Sequence, residues 1–209
     1  MAIVITVAQQ KGGTGKTTLA ANLAAGLAPT ARVALLDIDP QRSLTRWHAI
    51  RAARDPQAPP LTFSDVSGWR LSAELDRLKR SHDVVLIDSP PQIDTDARLA
   101  IRGANLVLIP VQPSPPDVWA AEGTLALAAA EKREARVLLN RVPSAARLVE
   151  TVKTDLAARK LPLLRAAIGN RTGFATAFAA GLGVTEAAPR SSAAAELRAL
   201  LDELREITE

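Results

Sequence analysis

The segment QQKGGTGKTT, Gln9 to Thr18, lies directly between a β-branched apolar run, IVITVA, and an Ala/Leu-rich stretch of helical period over 16–28. A turn so rich in glycine can wrap its backbone N–H groups around an anion. Glycine removes the Cβ that would block the approach, and it accepts positive φ. Gly12, Gly13 and Gly15 supply that freedom, with Thr14 inside the turn. Lys16 adds a point charge for phosphate oxygens, and Thr17, followed by Thr18, places a hydroxyl suited to Mg²⁺. The helix that follows aims the positive end of its dipole at the same point. The strand–turn–helix context disfavours a glycine-rich turn without a ligand.

The remaining chain alternates in the same way. RVALLDID, LTFSDV, DVVLIDSP, NLVLIPV and ARVLLN read as strands, and helical stretches are expected over 70–80, 94–102 and 117–132. Most of the strands are apolar throughout, as strands are when helices cover both faces of a parallel sheet. Late helices are expected over 145–160 and 191–207, with a last short strand in LPLLRAAI. The expected fold is therefore α/β: a doubly wound, mostly parallel sheet with helices on both faces, forming one domain over 1–209. Residues 54–60, RDPQAPP, read as a surface loop.

Composition narrows the chemistry. The chain has no cysteine and only two histidines, which excludes disulfides, iron–sulfur clusters and thiolate zinc sites and disfavours an imidazole metal centre. Aromatic residues make up 3% of the chain, too few for a base-stacking platform. The first residues, MAIVITVAQQ, lack the basic flank of a signal peptide, so the cytoplasm is the expected compartment. Net charge is +4, with Arg141, Arg147, Lys153, Arg159, Lys160, Arg165 and Arg171 opposed over that stretch only by Glu150 and Asp155. An acidic final helix follows. The basic stripe is either an interaction surface or a solvated face.

Several strands end in chemistry. Asp37 and Asp39 close the second, and one of them could simply cap the next helix. Asp88 closes an apolar run in VVLIDSPP, the pattern of a carboxylate that holds Mg²⁺ through water. LIPVQPSPPDVWA runs into a proline-rich loop, and ARVLLNR ends in Asn140 and Arg141.

These motifs, in this order, resemble the ParA/MinD family of deviant Walker A P-loop ATPases, most nearly small ParA proteins without an N-terminal helix-turn-helix. The usual opening glycine is replaced by Gln10, and Lys11 stands where the family has its signature lysine. The resemblance implies ATP and Mg²⁺ as cofactors, with slow ATP hydrolysis. It implies that Lys11 reaches a partner's phosphates in an ATP-sandwiched homodimer, so that Lys11, Lys16 and Asp39 are catalytic. Asp39 would orient the attacking water, and Asp37 would support the metal site of Thr17 and Asp88. Asn140 and Arg141 would contact adenine, with the loop at Pro113 closing over the base. Non-specific DNA binding in the ATP state, nucleoid association and a ParB-like or cargo-binding stimulating partner are implied too. Lys160, Arg165 and Arg171 are the candidate DNA contacts. Membrane binding of the MinD kind is disfavoured, because the final helix has an acidic polar face and no aromatic anchors. A metabolic ATP-dependent ligase of the same superfamily is the other alternative.

Overall fold

The computed structural model describes residues 2–54, 59–66, 68–92, 95–144 and 146–208. Seven strands form one sheet: β1 (Ile3–Val7), β2 (Val33–Asp37), β3 (Leu61–Asp65), β4 (Val84–Asp88), β5 (Leu106–Val111), β6 (Glu134–Val142) and β7 (Leu163–Gly169). Their order is β3-β2-β4-β1-β5-β6-β7, and every pair is parallel. Parallel neighbours need crossover connections, and helices supply them.

Side chains alternate across the sheet and divide the core into two layers. On one face Ile5, Val7, Leu35, Leu86 and Leu108 pack under α1 (Lys16–Leu27), α2 (Ser43–Arg54), α7 (Thr172–Ala179), α8 (Val184–Ala187) and α9 (Ser192–Thr208). On the other, Val4, Leu36, Val85, Ile87 and Ile109 pack against α3 (Arg70–Ser81), α4 (Thr95–Gly103), α5 (Pro115–Ala130) and α6 (Ala146–Ala158). That two-sided burial is why the strand sequences are apolar at successive positions.

The expected elements are present, α2 and α7 stand where a helix was expected after Asp39 and from Arg171, and the short α8 is additional. In α2, SLTRWHAIRAAR buries only Leu44, Trp47 and Arg51, a stripe too narrow to stand out as a periodic apolar face. Trp47 is fully buried, and its Nε1 donates to Leu182 O at 3.3 Å. Arg51 makes a two-pronged ion pair with Glu186, both contacts at 2.7 Å. Both ties run from α2 to residues 182–186, which explains why neither is visible from local spacing. Short α7 and α8 occupy the stretch between β7 and the final helix. Of the loop expected at 54–60, Arg54 ends α2 and residues 55–58 lie outside the described residues.

The stretch LPLLRAAI yields a full edge strand rather than a fragment. Its exposed edge is covered by α9, whose acids accept backbone hydrogen bonds there. Glu203 accepts from Arg165 N (2.8 Å) and Ala166 N (2.7 Å), and Glu196 Oε2 accepts from Gly169 N (3.0 Å). Burial works against the Glu203 charge, yet these amides and the Arg165 guanidinium hold its carboxyl below the ordinary value. An otherwise open row of donors is thereby closed to edge-to-edge pairing.

Candidate nucleotide site

The centre of the sheet positions the site. β1 runs into the glycine turn, flanked by β4 and β5, so the ends of these strands converge on one crevice. The turn has left-handed φ at Gly13 (+79°) and Gly15 (+91°). A Cβ at position 15 would stand 2.7 Å from Asn140 Nδ2. That amide donates to Thr14 O at 2.7 Å and ties the end of β6 to the turn. Gly15→Ala is therefore expected to combine backbone strain with loss of this tie. We expect at least tenfold weaker ATP binding and on the order of 2 kcal/mol less stability, read by calorimetry and thermal melting.

Lys16, at the first turn of α1, is buried, and its Nζ donates to Lys11 O at 3.3 Å. Burial pulls its ammonium below the ordinary value, while Asp88 and Asp39 pull the other way. Asp88 is fully buried, and neither carboxylate oxygen has a hydrogen-bond partner. Burial pushes its carboxyl up to about 8, helped by Asp37 and Asp39 and opposed by the nearby Thr17 side chain and Lys16. A buried carboxylate with both oxygens unmatched, beside the Thr17 hydroxyl, fits a divalent cation that would take up the uncompensated charge. Asp88 and Thr17 would hold that Mg²⁺.

The two acids after β2 divide otherwise than expected. Asp37 is buried, and both oxygens are engaged: Oδ1 accepts from Asp39 N (3.1 Å), and Oδ2 from Thr45 N and Oγ1 (both 2.8 Å). It anchors the first turn of α2, the capping role, and its oxygens are already satisfied without a metal. Asp39 is half-buried at the mouth, and its Oδ1 accepts from Gln41 N at 2.9 Å, leaving Oδ2 for a water.

Lys11 turns away from the phosphate turn. Its Nζ is paired with Asp117 in α5, whose Oδ2 also accepts from Ser114 Oγ. The lysine side chain is 40% exposed and Asp117 only 2%, so the charge stands at the rim of the crevice.

A cavity of about 280 Å³ opens beside the turn, walled by Gly15, Thr18, Asn140, Arg141, Arg171 and Phe174 among others. Asn140 and Arg141, the expected base contacts, both line this cavity. Pro113 does not line this cavity. Its loop is drawn to the other flank, where Gln112 Nε2 donates to Gly13 O at 3.1 Å and Ser114 meets Asp117. The Arg171 side of the wall was placed in the DNA surface by sequence. Arg171 does stand at the start of a helix, as the N-cap of α7, but its side chain pairs with Glu196. Arg165 is held by Glu203 and Glu206 of α9, while Lys160 is exposed at the surface. The stripe's arginines at 165 and 171 are thus neutralised by the acidic helix, which lies too far along the chain for local charge counting to connect them.

A match to the family described as CobQ/CobB/MinD/ParA nucleotide binding domain spans residues 5–184. The chain belongs to this family. It is a P-loop ATPase. The maintenance of carboxysome distribution protein A of Halothiobacillus neapolitanus is 30% identical, the match covering 97% of this chain and 96% of that protein. The chromosome-partitioning ATPase Soj of Thermus thermophilus is 34% identical over 60% of this chain and 59% of its own. The solved ATP complex of a Cyanothece McdA variant superposes with a TM-score of 0.77 at 20% identity, covering 97% of this chain and 96% of that one. That last likeness is one of fold.

Proposed function

We propose that this ATPase positions an intracellular cargo by cycling between a monomer and an ATP-sandwiched homodimer that binds DNA non-specifically. The observation that carries the reading is Lys11. Lys16 already serves the chain's own phosphate turn, and Lys11 is a second lysine standing half-exposed at the rim. Such a charge is suited to phosphates brought by a second copy. ATP would complete the interface, and hydrolysis, with Asp39 orienting water, would release it. A ParB-like or cargo-binding partner would stimulate that step.

Both named relatives act in distribution or partitioning, and the one aligned along its whole length distributes carboxysomes. A protein assembly therefore leads over a plasmid or chromosome as the cargo. Membrane cycling is not favoured: Ala194, Leu197, Leu200, Leu201 and Leu204 of α9 are buried in the core, leaving no apolar face there for a lipid surface. With Arg165 and Arg171 paired, Lys160 is the residue of the stripe that we retain for DNA, its effect doubled in a dimer.

The test is binding to random-sequence duplex DNA without nucleotide, with ADP and with a slowly hydrolysed ATP analogue, at rising salt. Binding confined to the analogue state, weakening steadily with salt, is expected. Binding in no state removes DNA from the proposal. Turnover that depends on a small metabolite, and not on DNA or protein, would favour a ligase of the same family.

A further inference from the structure

Glu196 lies in α9, outside every motif of the P-loop, yet it reaches the wall of the nucleotide-side cavity. Its Oε1 accepts from Arg171 Nε (3.1 Å) and Nη2 (2.7 Å), and its Oε2 accepts from Gly169 N (3.0 Å). One carboxylate thus holds the last residue of β7 and the guanidinium two residues later. The turn between them is tight: Asn170 N donates to Val142 O at 2.8 Å, and Arg171 N to Gly169 O at 2.9 Å.

Gly169 completes the arrangement. A Cβ there would lie 2.8 Å from Arg171 Nε and 3.2 Å from Glu196 Oε1, so a side chain would displace the ion pair. The guanidinium can approach the strand end this closely because position 169 has no side chain. Stability is a poor explanation for this construction. The Arg171 side chain is 44% exposed, and ion pairs of that exposure contribute little. A planar guanidinium fixed on one edge by a carboxylate keeps N–H donors on its other edge, which suits recognition of a ligand at the cavity.

We propose that Glu196 is a positioning residue for the nucleoside end of ATP, acting through Arg171 and the Gly169 amide to fix the outer wall of the cavity. This rests on the reading of that cavity as the nucleoside site. It assigns Arg171 to nucleotide and not to DNA, and it makes α9 part of the binding site. Two sites on one ligand then have separate supports. The glycine turn and Lys16 hold the phosphates, and α9 holds the wall at the other end.

The two ends can be separated with two probes, ATP and inorganic tripolyphosphate, each with Mg²⁺ and measured by calorimetry. Glu196→Gln keeps an oxygen for the Gly169 amide but loses the charge facing Arg171. We expect it to weaken ATP by roughly fivefold to tenfold, with tripolyphosphate changed less than about twofold and the melting temperature nearly unchanged. Arg171→Met should give the same pattern, and the double variant should be no worse than the worse single one. Gly169→Ala, which keeps both residues but displaces their ion pair, should reproduce the ATP-selective loss. Equal weakening of both probes, unchanged ATP binding in Glu196→Gln, or fully additive losses in the double variant would each overturn the assignment. If the wild-type chain binds ATP no better than tripolyphosphate, the cavity takes no nucleoside, and that reading falls together with the proposal.

Discussion

Lys16→Ala loses ATP binding, with affinity falling by at least about a hundredfold for ATP and ADP alike. Lys16 is 6% exposed, and burial already disfavours its charge. A cation held in so dry a place, at the start of a helix, interacts strongly with phosphate, since little water remains to screen it. Its loss should be felt at the phosphates and much less in the fold. Burial pushes the neighbouring Asp88 carboxyl up, which limits the charge left unpaired when the lysine is removed. A melting temperature within a few degrees of wild type is therefore expected. Calorimetric titration of the variant with ATP and Mg²⁺ checks this, and an affinity within tenfold of wild type would remove Lys16 from the phosphate site.

Lys11→Ala separates binding from assembly. Its side chain points to Asp117 and not into the glycine turn, so ATP affinity of the monomer should change less than about fivefold. Dimerisation in ATP should disappear, because the charge proposed to meet the partner's phosphates is gone. A structural cost accompanies this. Asp117 is 2% exposed, its Oδ1 has no partner, and removal of the lysine leaves Ser114 Oγ as the side-chain donor to Oδ2. A loss of about 1–2 kcal/mol is expected, small because the lysine itself is well exposed. Denaturant unfolding measures that cost. A variant that still dimerises in ATP would show that Lys11 serves only to neutralise Asp117.

What the sequence revealed was the local part of the protein. The glycine turn, the strand ending at Asp88 and the pair Asn140–Arg141 are each read within a few residues; β4 is next to β1, and Asn140 reaches the turn from β6. The rest depends on partners far apart in the chain. Asp37 could serve the metal site or cap the next helix, and its bonds to Thr45 decide for the cap. The extent of helix α2 could not be read locally because its anchors, Trp47 and Arg51, are satisfied by residues 182 and 186. Pro113 was assigned to the base by its place in a motif, whereas Gln112 draws that loop to Gly13. Arg165 and Arg171 counted as free positive charge until Glu203, Glu206 and Glu196 met them across the edge of the sheet. Charge patterning along a chain cannot show which acids a parallel edge strand will collect.

ATP-dependent dimerisation is read directly from the mass of the chain in solution, by light scattering, without nucleotide, with ADP and with ATP and Mg²⁺. Asp39→Ala, expected to bind ATP without hydrolysing it, keeps the ATP state long enough to measure. A monomer is expected in the first two states and a dimer with ATP, lost again in the Asp39→Ala, Lys11→Ala double variant. A monomer in all three states, with ATP demonstrably bound, would contradict ATP-dependent dimerisation.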